Sequence, residues 1–214
     1  MQRIPIAVLV TLLLTTHAAA QETPPATWGL EQLMQQRAQV KGGRAGFVEI
    51  RKMPSVETTT TSNGVLIYEA PDRLERQTLT PLAERAVVQG DRLTLEIETA
   101  SGQRTRREFA LSDIPGLRPF FAALRAMLAG DLAALQRSFE VSFDGDENDW
   151  RLKLIPRERS DRHVREILVS GRALEILSIE VVERNGDSAR TTINPEAPQP
   201  PAPPSTTPIP DAGS

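Results

Sequence analysis

Short segments in which apolar and polar residues alternate recur along most of this chain. In residues 92–98, Leu93, Leu95 and Ile97 share one side, and the residues between them are polar or charged. A period of two residues is that of a β-strand with one buried and one solvated face. The alternation therefore predicts antiparallel strands that need a cover over their apolar face.

Turn residues separate these segments at short intervals, at 71–72, 89–91 and 185–187. The last of these contains Asn-Gly, a strong hairpin signal. Short loops favour a meander of neighbouring antiparallel strands over βαβ crossovers. We predict strands at 45–53, 64–70, 73–79, 84–88, 92–98, 105–111, 139–143, 150–154, 163–169, 173–183 and 188–193, with a polar run at 57–62 after the first.

Two regions follow a helical period instead. The first is 28–38, with Thr27 as a candidate cap and Gly42-Gly43 beyond its end. The second is 112–130, where one stripe contains Phe120, Phe121, Leu124, Met127 and Leu128, and a short helix over 131–138 follows. The predicted fold class is mainly β with α: an incomplete antiparallel β-barrel, or curved sheet, with helices covering its concave apolar face.

The first twenty residues have the pattern of an export signal. Arg3 precedes an apolar run at 6–14, and small residues at 18–20 suit cleavage before Gln21. The apolar run is shorter than the ~20 residues that span a bilayer. The chain contains no cysteine, and export without disulfides is common in the bacterial periplasm. We predict a periplasmic protein whose signal peptide is cleaved.

The composition of the N-terminal and C-terminal segments predicts the domain organisation. Residues 1–20 form the signal peptide, 21–27 a short linker, and 28–193 one domain of ordinary size. Residues 194–214 are rich in proline and have few large apolar side chains. Such a segment cannot bury enough surface to offset its ordering entropy, so we predict a disordered tail.

Catalytic and metal-binding patterns are weak in this sequence. His163 is the one histidine after the signal, and no Gly-x-Ser-x-Gly motif accompanies it. Residues 144–149 contain several Asp and Asn, but a calcium loop needs Gly at its sixth position and Glu at its twelfth, where Asp149 and Ile155 stand. We predict a hairpin turn there, and no catalytic residues, metal site or cofactor.

Charge excludes one further class of partner. The formal net charge is −3, whereas nucleic-acid binding needs clustered Lys and Arg. The short basic segment 104–107 lies on a predicted strand. We expect its arginines to pair with Glu96 and Glu98 across the sheet.

The order of the segments resembles the periplasmic LolA-type lipoprotein-carrier family over most of residues 28–193. Four features carry the resemblance: a helix leading into "RAGFVEIR", then "GVLIYEAPDRLER", then the hairpin "AERAVVQGDRLTL", and a helical insertion near 113–137 followed by "WRLKLIPRE". The sequence departs from the family pattern around Pro71. Ala70 replaces the usual arginine, Leu74 an aromatic residue, and Arg76 a tryptophan.

The resemblance implies an apolar cavity under a helical lid, which carries acyl chains of lipoproteins between an inner-membrane transporter and an outer-membrane receptor. We expect a monomeric, non-enzymatic carrier of acylated lipoprotein or lipid cargo. The alternative is a non-transporting lipid-sensing or envelope-stress module on the same fold. The predicted cavity lining, whose residues would equally suit a packed core, is Leu74, Leu93, Leu95, Ile97, Phe120, Phe121, Leu124, Met127, Leu128, Phe139, Phe143, Trp150 and Leu152.

Overall fold

The computed structural model describes residues 28–99, 102–114, 117–157 and 163–194. The predicted signal peptide, the 21–27 linker and residues 195–214 of the tail lie outside this part. In the described residues the strands form one open, curved antiparallel sheet in the order β6-β5-β4-β3-β2-β1-β11-β10-β9-β8-β7. This architecture confirms the predicted incomplete barrel with helices.

The element bounds agree closely with the alternation and the helical period. The helices are α1 (Leu30–Arg37), α2 (Leu117–Ala129) and α3 (Leu132–Ser138). The strands are β1 (Gly42–Met53), β2 (Thr58–Glu69), β3 (Arg73–Thr80), β4 (Glu84–Gln89), β5 (Arg92–Glu98), β6 (Arg104–Ala110), β7 (Phe139–Gly145), β8 (Trp150–Pro156), β9 (Val164–Arg172), β10 (Glu175–Glu183) and β11 (Ser188–Asn194).

Three boundaries differ from the sequence prediction. The N-cap of the first helix is Gly29, not the candidate Thr27, which lies outside the described residues. Gly42-Gly43, expected to end the first helix, begin β1 instead. The run at 57–62 was expected as a polar connection, but β2 already begins at Thr58 and pairs with the far end of β1. Threonine is β-branched and fits a strand although it leaves no apolar alternation.

The sheet consists of two meanders that meet at its centre. Strands β1 to β6 follow one another to one edge, and β7 to β11 return from the other. The two halves join where β1 pairs with β11, for example Glu49 opposite Thr191. Helices α2 and α3 connect the two edge strands β6 and β7, so they cross the concave face of the sheet.

The buried side chains form two clusters beneath the helices. The larger includes Leu33 and Met34 of α1, Met127 of α2 and the inward residues of β7 to β10. The smaller surrounds Val88 and Leu111 on the β2 to β6 side. Leu124 and Leu128 of α2 contact both clusters, so this helix bridges the two halves.

Gly130 is required where α1 approaches the turn between α2 and α3. Its φ is +69°, a left-handed conformation that favours glycine. A Cβ at this position would collide with the backbone of Met34 and Ala38. The predicted C′ position of Gly130 is confirmed, and it also allows the helices to pack closely.

The convex face of β3 to β6 has a network of ion pairs. Arg104 Nε lies 3.0 Å from a Glu98 carboxylate oxygen, and Arg106 Nη1 lies 3.7 Å from Glu96. These contacts confirm the pairing expected for Arg104 and Arg106. Arg107 lies opposite Leu95 on the other face of the sheet and forms no ion pair among the described residues. On the same face Glu75 is 6 % exposed and accepts hydrogen bonds from Arg85.

Burial alone would raise the pKa of Glu75. The hydrogen bonds from Arg85 and Gln77 and the neighbouring positive charges outweigh that effect, and its pKa lies below the ordinary value.

Among the described residues, none of the helices combines the length and the apolar character that a membrane-spanning helix requires.

Candidate functional site

A cavity of about 380 Å³ lies between α2 and the concave face of the sheet. It is more than twice the volume of an engineered apolar cavity of ~150 Å³ that binds benzene. The strands that contribute to its wall are β1 to β4, β10 and β11, on both sides of the central seam. Its apolar lining includes Ala45, Leu66, Tyr68, Leu74, Ala86, Val88, Phe120, Phe121, Leu124, Leu128, Leu174, Ile176, Ile179, Val181, Ala189 and Ile193.

Helix α2 supplies one wall because its apolar stripe is wide. Phe120, Leu124 and Leu128 follow one another at intervals of four residues, and Phe121 lies beside them. The rings of Phe120 and Phe121 meet edge to face, with centroids 5.2 Å apart. Met127, on another part of the stripe, is buried in the larger core cluster. One helix therefore packs on the core and lines the cavity at once.

The strands supply the opposite wall through cross-strand rows. Leu74 pairs with Tyr68 on one side and Val88 on the other. Two residues further along, Arg76 lies between Leu66 and Ala86. Since side chains two apart on a strand share a face, Arg76 faces the cavity with Leu74.

An ion pair between Arg76 and Glu49 lies at one end of the cavity. The guanidinium donates two hydrogen bonds to the two carboxylate oxygens, at 2.7 and 3.1 Å. It also bonds Ser62 Oγ at 3.0 Å and lies 4.3 Å from the centroid of the Phe47 ring. Thr191 Oγ1 donates to Glu49 at 2.9 Å. The pair is therefore fully engaged within the protein.

The electrostatics of Glu49 follow from these contacts. Its side chain is 19 % exposed, and burial alone would raise its pKa. The hydrogen bonds and charge of Arg76, with the Thr191 hydroxyl, overcome this effect and hold the pKa of Glu49 below its ordinary value. Glu49 is therefore ionised at neutral pH.

Arg37 lies at the other end, near Gly43, Tyr68 and Leu174. It is 8 % exposed, and Nη1 donates a hydrogen bond of 2.8 Å to the Leu174 carbonyl. Its Nε is buried without a hydrogen-bond partner. Burial lowers the pKa of Arg37, an effect that the neighbouring Tyr68 phenol opposes. Burial likewise raises the pKa of Tyr68, against the charge of Arg37.

The structure brings together part of the predicted lining. Leu74, Phe120, Phe121, Leu124 and Leu128 line the cavity. Leu93 is buried beside it in the smaller core cluster. Leu95 and Ile97 extend the same cross-strand rows onto β5, outside the residues that line the cavity.

The other predicted residues lie in the larger core cluster. Met127, Phe139, Trp150 and Leu152 are at most 2 % exposed, and Phe143 packs against them. The Trp150 ring lies against Gly171, where a Cβ would collide with it, and its Nε1 donates to the Ala173 carbonyl at 3.0 Å. These side chains support the helices rather than enclose the cavity.

Sequence reasoning did not identify Arg37, Glu49 or the β10 and β11 residues as part of the site. The alternation in β11 was a usable signal, because it places Ala189, Thr191 and Ile193 on one face. Arg76 was noted as a departure from the family pattern, and strand parity with Leu74 assigns it to the cavity. Arg37 gave no local signal, since it is the last residue of a short helix.

Comparison with known proteins gives one family. The family described as "Outer membrane lipoprotein carrier protein LolA-like" matches residues 21–203. No curated protein shows a significant sequence match to the chain.

Several solved structures are similar at low identity. A LolA superfamily protein from Nitrosomonas europaea is 8% identical, with a TM-score of 0.40 over 78% of this chain and 91% of that one. A Vibrio parahaemolyticus domain named for outer membrane lipoprotein sorting is 12% identical, with a TM-score of 0.42 over 77% and 89%. A chain of the Pseudomonas aeruginosa MucA/MucB complex is 11% identical, with a TM-score of 0.40 over 77% and 55%. Similarities at this level give no information about ligand or partner.

Proposed function

The chain belongs to the LolA-like outer membrane lipoprotein carrier family, as its sequence predicted, and from this premise we propose that it is a periplasmic carrier of acyl chains. The cargo is an acylated lipoprotein or a related lipid, received from an inner-membrane transporter and delivered to an outer-membrane receptor. The family is one of binding or carrier proteins, and we propose no catalytic activity for this member.

The observation that carries the proposal is the apolar cavity between α2 and the sheet. Its volume of about 380 Å³ is within the usual range of ligand pockets, ~300–1,000 Å³. Each CH₂ group moved from water into such an environment is stabilised by ~0.8 kcal/mol. A cavity bounded by Phe120, Phe121, Leu124 and Leu128 can therefore hold hydrocarbon that would otherwise be exposed to water.

Binding is tested with the purified full chain after removal of the predicted signal. A fluorescent acyl probe is titrated into the protein. Separately, native mass spectrometry detects any lipid that co-purifies with the protein, and that lipid is extracted and identified. We expect saturable binding of the probe and its displacement by a synthetic acylated lipopeptide. Failure of the wild-type protein to bind either molecule would refute the proposal.

Transport is tested separately from binding. Donor vesicles containing a labelled acylated lipopeptide are mixed with acceptor vesicles, and transfer is followed with and without the protein. A carrier accelerates transfer in proportion to its concentration. Binding without acceleration would refute transport and support the non-transporting lipid-sensing alternative.

A further inference from the structure

Arg37 is a buried cation in the cavity wall whose hydrogen-bonding capacity is largely unused. The one hydrogen bond of its side chain within the described residues joins Nη1 to the Leu174 carbonyl, a neutral acceptor. No described carboxylate forms an ion pair with it. This contrasts with Arg76 at the opposite end, whose guanidinium is paired with Glu49 through two bonds.

The unused donors of Arg37 lie on one edge of the guanidinium. A guanidinium is planar, and its Nε and Nη2 point the same way as a two-pronged fork. Nη1 donates to the Leu174 carbonyl, and Nε has no partner but is enclosed by protein atoms. Nη2 has no hydrogen-bond partner among the described residues and is not enclosed, so it is the donor that a carboxylate or a phosphate in the cavity can reach.

An isolated buried charge is unfavourable unless something pairs with it. Burial lowers the pKa of Arg37, yet arginine remains protonated in proteins. An anion that enters the cavity would complete the pairing of this buried guanidinium.

We propose that Arg37 binds the anionic group, a carboxylate or a phosphate, of the ligand whose acyl chain fills the cavity. This inference rests on the proposed function and specifies the chemistry of its ligand. Arg37 lies near Tyr68, which pairs with Gly43 on β1, whereas Glu49 is six residues further along that strand, about 20 Å from Gly43 at the rise of a strand. The ligand therefore lies with its charged end at Arg37 and its chain along the apolar lining between α2 and the sheet.

The test compares ligands that share a hydrocarbon chain and differ in charge. Palmitic acid, hexadecyl phosphate and methyl palmitate are each used to displace a fluorescent acyl probe from the wild-type protein. We expect one or both anionic ligands to bind about tenfold more tightly than the neutral ester. The two anionic ligands distinguish a carboxylate from a phosphate as the preferred group.

The variant Arg37→Met removes the charge and keeps a long side chain. We expect it to lose the preference for the anionic ligand, while its affinity for methyl palmitate remains within about twofold of the wild type. Arg172→Met is the matched control, because Arg172 is exposed at the end of β9 and is not among the residues that line the cavity. It removes the same charge and should keep the preference.

The outcomes separate this inference from the proposed function. Equal wild-type affinity for the acid, the phosphate and the ester would overturn the assignment of Arg37 and leave acyl binding intact. This comparison needs only the wild-type protein, so it holds even if Arg37→Met does not fold. Retention of the preference in folded Arg37→Met would overturn it equally. Failure of all three ligands to bind would refute the proposed function itself.

Discussion

Replacing Ala86 with leucine distinguishes a cavity from a packed core. Ala86 lies on β4 between Arg76 and Leu95, and it lines the cavity. In a well-packed core, added carbon atoms force strain that costs ~1–3 kcal/mol. In a cavity the same atoms gain burial without a clash with protein atoms. The sign of the change in unfolding free energy therefore reports which environment surrounds this position.

The expected gain follows from the added atoms. Leucine has three more carbon atoms than alanine, worth about 2.4 kcal/mol at ~0.8 kcal/mol for each buried group. Fixing the leucine rotamer costs about 0.5–1 kcal/mol. The net expectation is a stabilisation of about 1.5 kcal/mol, which raises Tm by roughly 3–6 °C for a chain of this size.

The same substitution should weaken ligand binding. If the new side chain displaces two methylene groups of the acyl chain, about 1.6 kcal/mol is lost, which is roughly tenfold in affinity. Chemical denaturation and probe titration measure the two effects. Ala83→Leu, at an exposed position between β3 and β4, is the control and should change the stability by less than ~0.5 kcal/mol. A destabilised Ala86→Leu protein that binds the probe normally would contradict the reasoning.

Four further results are expected. Leu74→Glu places a carboxylate in the cavity wall and should lower probe affinity at least tenfold. Leu79→Glu is the control, because Leu79 is on the same strand but 49% exposed, and an equal loss of affinity in both variants would refute the assignment of the wall. Gly130→Ala should lower the unfolding free energy by more than ~2 kcal/mol, measured by denaturation, because left-handed φ and close packing coincide there. The pKa of Glu49 is lowered in the folded state, so its contribution to stability is present above the unfolded pKa and is lost as the pH falls through the folded pKa. The unfolding free energy of Glu49→Gln should therefore depend less on pH than that of the wild type in this acidic range. Deleting residues 195–214 should leave Tm unchanged, and a large decrease would show that the tail stabilises the domain.

Local periodicity predicted the elements of the fold but could not predict the cavity. The alternation of Leu93, Leu95 and Ile97 predicted a half-buried strand, and that strand is β5. Phe120 and Trp150 were equally plausible as lining, yet Phe120 faces the cavity and Trp150 is fully buried in the core. What separates them is the distance between helix and sheet at each point, which depends on how the helices are placed rather than on any local pattern.

Charged residues on the inner face explain a second limit of sequence reasoning. An alternating strand is expected to direct its charges to solvent, and Arg106 and Glu108 of β6, whose side chains are exposed, follow that rule. Arg76 of β3 and Glu49 of β1 depart from it, because they form an ion pair with two hydrogen bonds across the intervening strand β2. Only the register of β1, β2 and β3 shows that they meet, and that register is a long-range property.

The seam between β1 and β11 has a consequence for the order in which the molecule folds. Each meander is built from neighbouring hairpins, but the seam joins residues as distant as Glu49 and Thr191, 142 positions apart. Contacts between such distant residues form slowly, because a long loop must close before they gain anything. We expect the two halves to form first and the seam last. Since the cavity wall includes both sides of this seam, the capacity to bind ligand would be completed in the final folding step, and a bound acyl chain would hold the two halves together.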